Sequence, residues 1–222
     1  PLAEVISGLF STHLYTGTGS TQTITNGINL SGKGGLAWVK RRDNTGNHGL
    51  FSSNFGNTPS HYLISNSNGG QSGASSLFNL LSTGFSVNGA IGDFGVNTAE
   101  YVSWTFRKEP KFFDIVTYTG DGTNGRSVSH NLGTTVGMIL LKRTDSGSSD
   151  DWQVFHRYAI NKRLELNNTD AAAATTIWND GGTGSGPTST NFTVDNASFS
   201  NENGATYVAY LFAHNNNDGG FG

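Results

Sequence analysis

A chain of 222 residues is long enough to bury a core without metal or disulfide staples. It contains no cysteine, which excludes disulfide frameworks, thiolate metal sites and cysteine nucleophiles. The formal charge is −3, only 13% of residues are charged and no basic run occurs, so nucleic acid is not an expected partner; residues 138–141 typify apolar runs far too short to cross a bilayer.

With 31 glycines and 11% aromatic residues, the composition favours short strands joined by tight turns around a packed core. In chain order, residues 2–10 come first, apolar at Leu2, Val5, Ile6, Leu9 and Phe10, and stand before any repeated element. They are the expected contact surface of a homo-oligomer, a trimer in a fibre. The motif Tyr15-Thr16-Gly17-Thr18-Gly19 follows, then the apolar run Leu36-Ala37-Trp38-Val39-Lys40-Arg41. Weaker strands are expected near Leu50 and Phe51 and over residues 62–64, and stronger ones over 83–87 and 101–106. Around Pro110 the charged run 107–111 reads as a boundary, which places one β-unit at 1–110 and a second at 111–222.

The same anchors then return in the same order. Tyr118-Thr119-Gly120-Asp121-Gly122 repeats the first motif, residues 138–143 repeat 36–41, residues 190–194 repeat 83–87, and residues 207–212 repeat 101–106. Each unit has six or seven short strands, so the expected fold is all-β: two tandem antiparallel, jelly-roll-like β-sandwiches that match strand for strand. Only residues 170–176 have helical composition, and a short helix or an exposed loop fits them equally. The chain starts without Met and stops where a third unit could begin, so it is expected to be part of a longer array.

Taken together, the Tyr-Thr-Gly-x-Gly motif, Gly-Gly-Leu-Ala-Trp-Val-Lys at 34–40 and the closing segments at 101–107 and 207–214 resemble a repeat domain of virion proteins in marine and cyanobacterial phages. Those proteins look like tail fibres or related appendages. The resemblance implies a place on a virus particle among other virion proteins and carries no catalytic residues.

No enzymatic constellation stands out, and no cofactor is expected. The pattern Gly120-x-Gly122-x-x-Gly125 satisfies a dinucleotide fingerprint, but strands flank it, so it reads as a tight turn. The six histidines show no metal-binding spacing. Asp145, Asp150 and Asp151 form the densest acidic group, in a loop where a weak calcium site is the alternative to a solvated turn. Trp38 and Trp104 keep large apolar partners in the second unit and are expected in the core. Trp152 and Trp178 have no such partner and lie beside polar loops. With Asp150 and Asp151 they make the candidate ligand site, where an indole would stack on a sugar of the host surface. The leading expectation is therefore a phage structural protein that acts as spacer and host- or partner-binding module; a carbohydrate-binding module using loop aromatics is the alternative.

Overall fold

The computed structural model describes residues 7–74, 77–89, 93–145, 147–175, 177–178 and 186–214. Its contacts divide the chain into unit 1, Pro1–Ser65 with Gln71–Lys108, and unit 2, Asn66–Gly70 with Glu109–Gly222. The change of unit after Lys108 falls within the charged run.

Unit 1 contains β1 (Phe10–Thr16), β2 (Thr21–Thr25), β3 (Gly35–Arg41), β4 (His48–Ser52), β5 (His61–Ile64), β6 (Ser72–Gly73), β7 (Phe78–Leu81), β8 (Gly84–Asn88) and β9 (Glu100–Arg107). A six-stranded sheet runs β1-β9-β3-β4-β5-β6 and a three-stranded sheet runs β2-β8-β7, with every pairing antiparallel. Side chains alternate faces along each strand, so Ala37 and Val39 of β3 point into the space between the sheets, where Phe51, Phe78 and Phe85 meet them. Phe51 stacks on Phe78 at 4.1 Å and Phe78 on Phe85 at 4.8 Å. Burying each ring contributes about 1.5–3 kcal/mol, and the column bridges the two sheets within a larger cluster that also buries Ile24, Leu80 and Phe94.

Period two also settles the first tryptophan pair, against expectation. Trp38 lies between Ala37 and Val39 and faces away from the cluster they join; opposite it on β9 stands Trp104. Both indoles are half-buried, edge to face at 6.2 Å. A large apolar residue was required at these positions, but on the opposite face of the sheet.

Unit 2 contains β10 (Phe113–Thr119), β11 (Arg126–Ser129), β12 (Val136–Arg143), β13 (Gln153–His156), β14 (Lys162–Glu165), β15 (Ala173–Ala174), β16 (Asn191–Val194) and β17 (Thr206–Ala213). Its large sheet runs β10-β17-β12-β13-β14-β15, the order of unit 1 with each strand replaced by its counterpart. Its second sheet pairs β11 with β16. Among the described residues β7 has no equivalent, and Ile177 and Trp178 enter the core instead. The alanine-rich segment supplies neither helix nor free loop at its centre, because Ala173 and Ala174 close the sheet edge against Arg163 and Lys162.

Candidate functional site

The glycine motif builds a clasp, identical in plan in both units. In unit 1, Gly17 N–H donates to Ala99 O at 2.8 Å and Thr98 N–H to Gly17 O at 2.9 Å. In unit 2, Gly120 N–H donates to Ala205 O at 2.7 Å and Gly204 N–H to Gly120 O at 2.9 Å. A Cβ on Gly17 would lie 2.2 Å from Val96 O, and one on Gly120 would lie 2.0 Å from Glu202 O, so only glycine lets the backbones approach. Above each clasp two tyrosines stack, Tyr15 on Tyr101 at 4.9 Å and Tyr118 on Tyr207 at 5.1 Å. Burial pushes the Tyr118 phenol well above its usual range and Tyr207 up to about 12. Since β11 follows Gly125 directly, no helix opens there to hold a phosphate, and the turn reading stands.

The acidic loop after β12 is drawn together by Arg143. Its Nε donates to Asp145 Oδ2 at 2.8 Å and its Nη1 to Asp150 Oδ2 at 3.4 Å and to Glu202. Asp145 Oδ1 accepts from the Thr206 N–H and hydroxyl at 2.9 and 2.7 Å, and Asp150 Oδ1 from the Ser198 hydroxyl at 2.7 Å. Partial burial works against both Arg143 and Asp145 as ions. Hydrogen bonds outweigh it: those to Asp145 and Glu202 raise the arginine pKa, and those from Thr206 and Arg143 lower that of the Asp145 carboxyl. Asp151 Oδ1 accepts from Asn167 Nδ2 at 2.6 Å, and Asn167 Oδ1 accepts from the Trp152 N–H at 2.8 Å. These carboxylate oxygens are spent on protein donors, which makes the loop a clamp. Among the described residues no group of three or more His, Asp or Glu could hold a metal ion.

Beneath the clamp, Lys142 is buried at 0% exposure and donates to Asn68 O at 2.9 Å and Asp150 O at 2.6 Å. Burial lowers its pKa to about 8 against the opposing charges of Asp150 and Asp151. The scarcity of buried lysine in general gave no reason to single it out from the sequence.

Trp152 and Trp178 overturn the expectation of a sugar platform: each is 0% exposed. Trp178 belongs to the core of unit 2, edge to face with Phe155 at 5.8 Å, and Trp152 stacks near Tyr210 at 6.2 Å. Neither presents a ring face to a ligand, although Asp150 and Asp151 stand beside Trp152 in the chain as expected. At the N-terminus Leu2, Val5 and Ile6 lie outside the described residues. Leu9 is buried and unavailable as an oligomer contact, since only 4% of it is exposed, and the half-buried Phe10 ring rests on Phe106 at 4.9 Å.

Among the described residues, the exposed phenyl-bearing side chain of unit 2 is Tyr158, 80% accessible, in the 3-10 turn Arg157–Ala159 that follows β13. His156 lies 5.7 Å from its ring, His214 lies edge-on at 6.0 Å, and the Arg157 guanidinium sits 5.8 Å over it. The sequence carried one clue to it. The tripeptide His156-Arg157-Tyr158 has Ser52, Ser53 and Asn54 at the same place in unit 1, before and within the turn Ser53–Phe55 that follows β4.

Fold and site together define an all-β sandwich protein whose acidic loop is internally paired and whose exposed ring lies in a turn of unit 2. The chain belongs to the family described as a domain of unknown function (DUF7483), which matches residues 6–222. No curated protein and no solved structure matches it.

Proposed function

We propose that the protein is a structural component of a phage particle, a tail fibre or similar appendage, in which the sandwiches act as spacers and their loops meet a host or virion partner. The strand order common to both large sheets carries this reading, because a stack of like units is how an extended shaft is assembled. The neutralised acidic loop supports a role without catalysis, and the resemblance of the anchors to virion repeats is what favours a place on the particle. In such a shaft the native form is a homo-oligomer, most simply a trimer. The direct test is mass spectrometry of purified particles of a phage that encodes this chain. Peptides of the chain at a copy number in threes relative to the tail are expected, and particles free of the chain would overturn the proposal.

A carbohydrate-binding reading keeps one specific observation in its favour, the ring of Tyr158. It replaces the buried tryptophans as the loop aromatic.

A further inference from the structure

We propose that Tyr158, with Arg157, His156 and His214 around it, forms a binding site for an anionic sugar residue of a surface polysaccharide. The inference rests on the reading of unit 2 as a presenting module and names the ligand class of that surface.

Topology assembles the four residues. Strand β12 pairs with β13 on one side and β17 on the other, with Met138 opposite both His156 and Phe212 and Val136 opposite Ala213. The ends of β13 and β17 therefore reach the same end of the sheet, where His214 N–H donates to Thr135 O at 2.9 Å and fixes the backbone. The turn Arg157–Ala159 then lifts Tyr158 out of the sheet.

Each group has a distinct chemical capacity. A phenol ring 80% exposed offers an apolar face on which the C–H face of a pyranose can stack. The Tyr158 N–H donates to His156 Nδ1 at 3.4 Å, which leaves the proton of the neutral imidazole on Nε2 as a donor for a hydroxyl or carboxylate. Arg41, Arg126, Arg143 and Arg163 each pair with an aspartate or glutamate, whereas Arg157 has no carboxylate partner among the described residues. A permanently charged fork beside a stacking ring fits a uronate carboxylate, which it can grip through two hydrogen bonds. A neutral sugar would leave that charge unused. A nucleic acid would meet a chain of net charge −3 with a single guanidinium at the site, too little to hold a phosphate backbone.

The test is titration calorimetry of the full chain with a hexameric alginate fragment, with cellohexaose, and with a six-base thymidylate strand. The alginate fragment is expected to bind and cellohexaose to bind at least tenfold more weakly, about 1.4 kcal/mol. Tyr158→Ala is expected to lower affinity for alginate about tenfold while Tyr158→Phe retains it. Arg157→Gln is expected to erase the preference for alginate over cellohexaose. The Tyr158 ring is solvent-exposed and Arg157 pairs with no carboxylate among the described residues, so all three variants should keep the unfolding midpoint of the parent. Alginate binding that Tyr158→Ala leaves unchanged, absence of alginate binding at millimolar concentration, equal binding of cellohexaose, or tighter binding of the thymidylate strand would each overturn the site. None of those results touches the particle assignment, which the mass spectrometry decides separately.

Discussion

In unit 1 a tyrosine hydroxyl, that of Tyr15, donates to Phe94 O at 3.0 Å, and its stacked neighbour Tyr101 accepts from the Val96 N–H at 3.0 Å. In unit 2 Tyr118 donates to Ser200 O at 2.5 Å, and Tyr207 accepts from the Glu202 N–H at 2.9 Å. Two stretches that differ at Phe94/Ser200, Gly95/Asn201 and Val96/Glu202 thus hang from the same tyrosine hydroxyls through backbone atoms at the first and last of those positions. The contrast lies beyond them. Arg41 of unit 1 meets one carboxylate, Asp43 at 2.6 Å, where Arg143 of unit 2 gathers Asp145, Asp150 and Glu202. Asn54 of unit 1 occupies the turn position where unit 2 carries Tyr158. What the units share closes the sandwich, and what they do not share is decoration at its ends, the usual division between scaffold and binding loops.

The sharpest way to break this comparison is through the tryptophans. Trp152→Ala and Trp178→Ala should each cost about 3–5 kcal/mol, because they empty fully buried sites. Trp38→Ala and Trp104→Ala, at half-buried positions of unit 1, should cost about half as much. Urea unfolding of the four variants decides it, and equal losses would remove the distinction.

A second test sets Lys142 against Lys40, its counterpart on β3. Lys40 is half-buried and donates to Arg41 O and Asn44 O at 2.6 and 2.9 Å. Lys142, with its pKa lowered to about 8, is neutral in the fold over a range where the unfolded chain still binds the proton. Unfolded protein then carries more protons than folded, so stability should rise from pH 8 toward 10, by at most about 1.4 kcal/mol per unit. Above pH 10 the trend should reverse, because Tyr15, Tyr118 and Tyr207 are held neutral by burial while their unfolded counterparts ionise. Lys142→Met should flatten the rise and Lys40→Met should leave it; a rise that survives Lys142→Met would place its origin elsewhere.

The smallest effect concerns one backbone angle. Thr98 and Gly204 hold the same place in the two clasps with φ of +63° and +81°, a region that costs most side chains about 1 kcal/mol. Thr98→Gly should therefore recover up to about 1 kcal/mol and Gly204→Ala should lose about as much. Matched thermal melts check both, and a Thr98→Gly variant less stable than the parent would show that its side chain offsets the strain.

How much of this was legible beforehand follows from which constraints are local. Strand anchors and the turn at Gly120 were readable because β-branched and aromatic runs and glycine spacing act over a few residues, whereas the passage of Asn66–Gly70 into unit 2 left no local mark. Nor were the tryptophans readable. Both faces of the large sheet carry apolar side chains: Leu36 and Leu50 are as buried as Ala37 and Phe51, so alternation at Trp38 named two faces without choosing the inner one. Trp152 looked exposed because Asp150 and Asp151 precede it, yet Asn167 ties down Asp151 and the Trp152 backbone together. That residue is fifteen positions away from Trp152. Tyr158 was missed for the converse reason. Its exposure depends on where a 3-10 turn leaves the sheet, and no periodicity encodes that.

The pairing of first and last strands has a mechanical corollary. Phe10 stands opposite Phe106 at one end of β1 and β9, and Phe113 opposite Phe212 at one end of β10 and β17. The first and last strands of each large sheet therefore begin and end at adjacent points. Tension applied through those two points would peel the terminal strands apart one hydrogen bond after another, the way a zipper opens, and would not load the whole ladder in shear. Such a unit is a poor link in a rope. It is well suited to being inserted or copied within a longer chain, since the ends of its first and last strands already lie side by side, and the resistance of an array built from it must come from bending stiffness and lateral contacts.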